Sequence, residues 1–373
     1  MNKEIANKIR KLFNTKLILT IPKQKKILIY DKVKSEVLLK YFAKSDTEIL
    51  CTRYEELNLY CAILSLFTTK IFKFKFFENY LSKYISIVKP RLIITMIDND
   101  PKFWVLSKKF NFTKTCFVQN ARRLFNPEEI SLLIRMKREI FIDYMFIFGN
   151  DYKIFLSKYF FGKFLLSGSI INNIHDQKNT EEKNTICFIS QFGAINYAEK
   201  HNFEMPDKKI LLFLRDYSKD NKKKLIILDN GKNSDKLFHF CKKNLNQCDW
   251  SIHEKKNIFS SYKKAIESEI LVTADSTLGY EMLARGKKVA FFSTRRWPNG
   301  IDYTFGSPGV YEPNGSFWTN YFDTKKFIKI LDFLYAVSKE EWENIISKHM
   351  ENIMIYSKNN KIFKEKIDQI LSQ

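Results

Sequence analysis

Short runs of β-branched and aliphatic residues alternate with longer amphipathic segments along most of this chain. Parallel sheets with covering helices leave that pattern in a sequence. In the first half the runs expected to form strands are residues 27–30, 48–51, 92–97, 115–118, 144–148 and 164–166. Helical periodicity fills the gaps at 34–42, 57–67, 103–110, 128–138 and 152–159. A polar stretch, HDQKNTEEKN at 175–184, has no large apolar residue and reads as a linker. The alternation then restarts, with strands expected at 185–190, 224–228, 250–253, 270–273 and 289–292. Helices fit 207–217, 235–244, 259–268 and 278–285, followed by a loop at 293–322 and two final helices at 324–336 and 339–372. The last is long enough to reach back across a cleft between domains.

The pattern predicts an α/β protein of two Rossmann-like, doubly wound domains facing across a cleft. The expected limits are 1–174, a linker at 175–184, 185–322, and C-terminal helices over 323–373. A chain of 373 residues fits two domains of ordinary size. Ligands of such sheets bind beyond the carboxyl ends of the strands, so site residues are sought where strands run into loops.

Six such places carry candidate chemistry. The sharpest is Asp275-Ser276-Thr277-Leu278-Gly279-Tyr280-Glu281, which follows one strand and opens a helix ending at Arg285-Gly286. A helix N-terminus there offers N–H groups and a dipole to an anion. Ser276 and Thr277 add hydroxyl donors, Gly279 allows close backbone approach, and Glu281 can accept from ribose hydroxyls. The competing explanation is that Asp275 or Ser276 merely caps the helix. At Asp98-Asn99-Asp100-Pro101 two carboxylates follow a strand. Asp98 is the first candidate general base and Asp100 the second, against an N-cap reading ahead of Pro101. Arg53 and Glu55 follow the second strand, Arg53 as an acceptor-binding candidate and Glu55 as a further candidate acid or base. Gln119, Asn120 and Arg122 follow a later strand as acceptor-binding candidates. Ser190 and Gln191 open the second half as donor-binding candidates. Arg295 and Arg296, in the long loop, can add positive charge.

Composition narrows the alternatives. The net charge of +22 points either to an anionic partner or to a Lys-rich solvated surface, since the lysines are spread along the chain. No nucleic-acid module is recognisable, so nucleic acid is not an expected partner. Six cysteines form no CxxC pair, and five histidines are scattered, so no zinc site, metal cluster or disulfide framework is expected. The N-terminal stretch has no apolar core suited to a signal peptide. Apolar stretches are too short for a membrane span, which points to a cytoplasmic protein with optional contact at an anionic membrane face.

The stretches CTRYEELNLY, IVKPRLIITMIDNDPKFW, FVQNARR, FGNDYKIFLSKYF, GSIINN, FISQF, DSTLGYEMLARGKKVAFFS and NGSFWTN resemble the surface-carbohydrate-biosynthesis glycosyltransferases of bacterial polysaccharide gene clusters. The likeness runs from about residue 48 to 320 and implies a GT-B fold. It implies a nucleotide-sugar donor on the C-terminal domain and an O-antigen or capsule-like acceptor, lipid-linked or free, on the N-terminal one. No cofactor beyond that donor substrate is implied. Ala121 stands where the family pattern has glycine, and the region after Arg296 departs from it. The rival readings are a sugar-nucleotide 2-epimerase or hydrolase of the same layout, and a non-catalytic basic binding module.

Overall fold

The computed structural model describes residues 15–53, 55–68, 76–106, 109–122, 140–174, 181–200, 203–296 and 302–372. The helix expected at 128–138 and the first six residues of the expected linker lie outside these.

Two six-stranded sheets, parallel throughout, organise the chain. The first holds β2 (Ile27–Tyr30), β3 (Thr47–Leu50), β5 (Leu92–Thr95), β6 (Lys114–Val118), β7 (Ile140–Ile147) and β8 (Phe160–Leu166), in the order β3-β2-β5-β6-β7-β8. A two-stranded parallel pair, β1 (Lys16–Ile18) with β4 (Glu56–Asn58), stands apart from it. The second sheet holds β9 (Glu182–Ile189), β10 (Lys224–Leu228), β11 (Trp250–His253), β12 (Ser268–Thr273), β13 (Lys288–Phe292) and β14 (Trp318–Thr319). Its order is β11-β10-β9-β12-β13-β14. The central strands β2 and β5 are buried at every position because helices cover both faces.

Helices α1 (Ser35–Leu38), α2 (Leu59–Thr68), α3 (Phe76–Val88), α4 (Pro101–Trp104), α5 (Asn150–Leu156) and α6 (Ile170–Asn173) accompany the first sheet. The second has α7 (Ile195–Lys200), α8 (Pro206–Asp220), α9 (Ser234–Asn244), α10 (Ser260–Glu267), α11 (Thr277–Ala284) and α12 (Thr324–Ala336). Two more, α13 (Lys339–Ile353) and α14 (Lys361–Ser372), follow.

In sequence order the second sheet reads 3-2-1-4-5-6, the doubly wound arrangement with its switch point between β9 and β12. The first reads 2-1-3-4-5-6, with its switch point between β2 and β5. Each switch opens a crevice at the carboxyl edge because successive crossovers leave to opposite faces there.

The expected strands of both sheets form, within a few residues at their ends. Three differences have physical causes. The helix expected over 339–372 breaks at Met354, which is extended (φ −166°, ψ 117°), and the Ile355 N–H donates to the Phe148 carbonyl at 2.9 Å. Chain then passes through left-handed Asn359 and Asn360 before α14, which lies on the first domain with Phe363 against Phe146 and Tyr41. The helix expected at 103–110 starts at Pro101 and spans four residues. Strand β9 starts at Glu182, inside the stretch read as linker, because residues 182–184 continue a buried central strand outward.

Candidate functional site

The two switch points face one another, and a cleft of about 370 Å³ lies between them. Its second-domain wall is the end of β9 (Ser190, Gln191), the end of β10 (Asp229, Asn230), and the start of α11 (Ser276, Thr277). Lys34, Asn120 and Ile171 come from the first domain, and Lys255 and Tyr262 from the second. A larger hollow of about 560 Å³, over Phe213, Tyr217 and Ile328, lies between α8 and α12. It shares no lining residue with the cleft.

Ser276 is the N-cap of α11 by backbone geometry (φ −66°, ψ 137°), yet its side chain makes no capping hydrogen bond. The Thr273 hydroxyl accepts from the Ser276 N–H at 3.2 Å, closing the turn in its place. The Ser276 hydroxyl therefore lines the cleft at a helix N-terminus, without the capping duty that competed for it. Thr277 Oγ1 accepts the Arg122 N–H at 3.0 Å, which ties the first domain to the start of α11.

Glu281 is buried, and both its oxygens are engaged. The Ser169 hydroxyl donates to one, and the Tyr262 hydroxyl to the other at 2.6 Å. Burial pushes its carboxyl above the usual range, and those two hydrogen bonds pull back against the shift. Asn172 Nδ2 donates to the Glu281 carbonyl at 2.9 Å, and Arg285 Nε donates to Asn172 Oδ1 at 2.6 Å. Glu281 thus lies on the cleft wall and at the domain seam together.

Several expected site residues are placed elsewhere. Gly279 turns away from the cleft: a Cβ there would come within 2.6 Å of Thr273 Cγ2 and 3.2 Å of the Phe291 ring. It permits close packing of α11 on its own sheet. Arg295 is buried beneath the site, 3.3 Å from Asp275 and 3.8 Å from Asp207, and Nη2 donates to Gln191 Oε1 at 2.5 Å. Its charge is spent on two carboxylates, so it does not face an open ligand position. Arg296 pairs with Asp302 at 3.2 Å on the surface. Ser190 does line the cleft, with its Oγ accepting the Phe192 N–H at 3.1 Å.

The three candidate acids do not line the cleft. Asp100 caps α4, accepting the Lys102 N–H at 2.9 Å and the Tyr30 hydroxyl at 3.0 Å, so the capping reading prevails there. Asp98 is buried, with its carbonyl accepting Trp104 Nε1–H at 3.0 Å. Glu55 accepts the Arg53 N–H at 2.9 Å. Arg53 itself donates to Asp31 at 2.7 Å.

The acceptor-binding candidates divide. Asn120 lines the cleft and donates to the Met96 carbonyl. Gln119 is buried, accepting the Phe148 N–H at 2.9 Å and donating to the Ala121 carbonyl at 3.1 Å, which joins the ends of β6 and β7. Arg122 is an interdomain rivet. It lies over the Tyr280 ring at 3.8 Å and donates to the Ser307 carbonyl.

Lys34, Asp229, Lys255 and Tyr262 escaped the sequence reading. The first three each follow an expected strand within five residues, so strand ends alone could have flagged them. Asp229 caps its own turn, with Gly231 N–H donating to it at 3.0 Å. Nothing local marks Tyr262, whose role depends on Glu281.

The family described as "putative O-antigen biosynthesis protein" matches residues 116–371. No curated protein sequence matches the chain. Among solved structures, a UDP-N-acetylglucosamine 2-epimerase superposes with a TM-score of 0.57 at 14% identity, covering 94% of this chain and 96% of that one. The UDP-GlcNAc 2-epimerase of Neisseria meningitidis bound to UDP-GlcNAc gives 0.57 at 14% identity, over 92% and 99%. The wall teichoic acid polymerase TagF gives 0.51 at 11% identity, over 94% and 89%. At these identities the likeness is one of fold: two Rossmann-like domains in the GT-B arrangement.

Proposed function

The chain belongs to the O-antigen biosynthesis family, and from that premise we propose that it is a glycosyltransferase moving a sugar from a nucleotide-sugar donor to a growing surface glycan. The observation that carries the reading is the uncapped Ser276 hydroxyl at the N-terminus of α11, lining a cleft between two facing switch points together with Lys34 and Lys255. The N–H groups of a first helical turn have no intrahelical partner and carry partial positive charge. With two lysines nearby they suit a diphosphate, and they favour it most as it leaves with a full extra charge. Preorganised donors aimed at developing charge are the usual source of such catalysis.

In this proposal the donor lies along the second domain. Its phosphates meet Ser276 and the α11 N-terminus, its ribose meets Glu281, and Ile258 and Leu278 give apolar surface beside it. The acceptor enters from the first domain past Lys34 and Asn120. No cofactor takes part, since the nucleotide sugar is itself a substrate. A sugar-nucleotide 2-epimerase is the second reading, favoured by the fold likeness to the epimerases. Product formed without any acceptor would identify it.

Thermal denaturation against UDP-, CMP-, GDP- and dTDP-sugars and their nucleotides tests the donor site, because a ligand that binds only the folded state raises the melting temperature. One nucleotide class is expected to stabilise the wild type. Ser276→Ala and Lys255→Ala should fold normally and bind it roughly tenfold more weakly or worse, the scale of a lost hydrogen bond to a charged group. Equal binding by both variants would overturn the assignment. Glu281→Ala is a poor probe, since it would also strip Ser169 and Tyr262 of their partner.

A further inference from the structure

Helix α2 (Leu59–Thr68, LYCAILSLFT) contains no charged residue, in a chain where 28% of residues are charged. One side is core: Cys61, Ala62 and Ser65 are buried. The opposite side should then be polar, as on any surface helix. Instead it presents Ile63, Leu66 and Phe67 at 46%, 60% and 84% exposure. Beside it, β1 and the strand-like stretch after it expose Leu17, Leu19 and Ile21, at 56%, 73% and 58%, on alternate positions. The Lys16 N–H donates to the Glu55 carbonyl at 3.2 Å, and β1 pairs with β4, which runs straight into α2. Single exposed apolar residues need no explanation, but a cluster drawn from two adjoining elements does.

Charge says what the cluster meets. Residues 15–30 contain Lys16, Lys23, Lys25 and Lys26 and no acidic residue. Lys16 and Lys26 have side chains 70% and 64% exposed. Glu56 faces Lys16 and Lys32 at 3.8 and 3.9 Å, and Asp46 faces Lys26 at 3.2 Å. These are surface contacts that leave the cations solvated. Lysines flanking exposed leucine and isoleucine in the sequence, beside an apolar helix face, match a bilayer surface, where apolar side chains enter the headgroup boundary and cations meet anionic lipid. Among the described residues no helix is long and apolar enough to cross a membrane. The face suits shallow attachment.

We propose that the α2–β1 face docks this protein on the surface of an anionic bilayer. The first turn of α2 lies only a few residues beyond Arg53 and Glu55, at the carboxyl edge of the first sheet. A molecule docked by this face would hold that edge next to the bilayer.

Flotation of the full chain with vesicles of phosphatidylcholine, with and without phosphatidylglycerol, is the test. Wild type is expected to float with the anionic vesicles, less so in high salt, and weakly with phosphatidylcholine alone. The triple variant Leu19→Glu, Ile63→Glu, Phe67→Glu should lose roughly tenfold or more in partitioning, the scale of several lost apolar and electrostatic contacts. Those side chains are exposed, so its melting temperature should match wild type. Lys16→Glu with Lys23→Glu should weaken binding to anionic vesicles and leave the residual binding to phosphatidylcholine. Wild type that stays at the bottom of the gradient, or a triple variant that floats like wild type, overturns the proposal. Concentration-dependent dimers in sedimentation, abolished by the triple variant and unaffected by lipid, would assign the face to self-association instead. The readout needs no sugar transfer, so its failure leaves the donor-site reading standing.

Discussion

Asp207, Asp275 and Arg295 form a buried cluster directly under the start of α11, two carboxylates sharing one guanidinium. Burial raises the Asp207 carboxyl from 3.8 to about 6, with Arg295 and the Gln191 N–H opposing the shift and Asp275 adding to it. The folded state therefore binds this proton more tightly than the unfolded chain does. Stability attached to Asp207 is greatest below pH 3.8, declines as pH rises toward 6, and is constant above that. Asp207→Asn removes the titration and can still accept from Gln191. Plotted against pH, the melting temperature of wild type minus that of the variant should climb as pH falls from 6 to 4, and a flat difference would contradict the assignment. None of this was legible from the residues. Asp275 and Arg295 are 20 positions apart, and Asp207 begins a helix far upstream, so only the fold reveals that Arg295 is consumed in pairing. Ser276 was legible, because a hydroxyl between a strand and a helix has few uses. That its side chain makes no capping hydrogen bond shows only in the fold.

At the scale of elements, α13 and its continuation tie the two domains together. Trp342 is buried, donating from Nε1 to the Gly286 carbonyl at 2.9 Å, and Gly286 holds the left-handed turn (φ 84°) that ends α11. The other end of α13 meets the first domain at Gly149, where a Cβ would sit 2.3 Å from the Asn352 carbonyl oxygen. Backbone against backbone cannot give way without moving the helix. Gly149→Ala should lower stability by about 1–3 kcal/mol, read by urea denaturation, as overpacking does in a close-packed interior. Wild-type stability in that variant would mean α13 is loosely held. The strands of both sheets were readable because buried parallel strands are continuous apolar runs. The break between α13 and α14 had a signal too, in Ser357-Lys358-Asn359-Asn360, since asparagine tolerates left-handed backbone. Helical periodicity on both sides masked it. The pair β1 and β4, three residues each, is too short to leave an alternating pattern.

For the molecule as a whole, the cleft is spanned by contacts that the two domains share. Arg122 alone contributes its N–H to Thr277, its plane to Tyr280, and a bond to the Ser307 carbonyl. Arg122→Ala should cost about 1–2 kcal/mol, from the lost cation–π contact and hydrogen bond. It should also enlarge the radius of gyration in small-angle scattering as the domains part. An unchanged scattering curve would mean that Glu281, Ser169 and Asn172 hold the domains without it. The two-domain architecture could be read from the alternation of runs across the linker, whereas this seam could not. Its members come from strand ends and helices far apart in sequence, brought together by the facing of the sheets.

The return of α14 onto the first domain also has a consequence for how the protein is made. Phe363 fills a place between Tyr41 and Phe146, and Asn360 donates to the Tyr41 hydroxyl and the Ile170 carbonyl. A ribosome must add roughly 200 residues after β8 before that plug emerges, about 10–40 s at ordinary elongation rates. Throughout that interval the first domain carries an open apolar slot, and nascent chains stalled short of residue 361 should be the ones that chaperones retain.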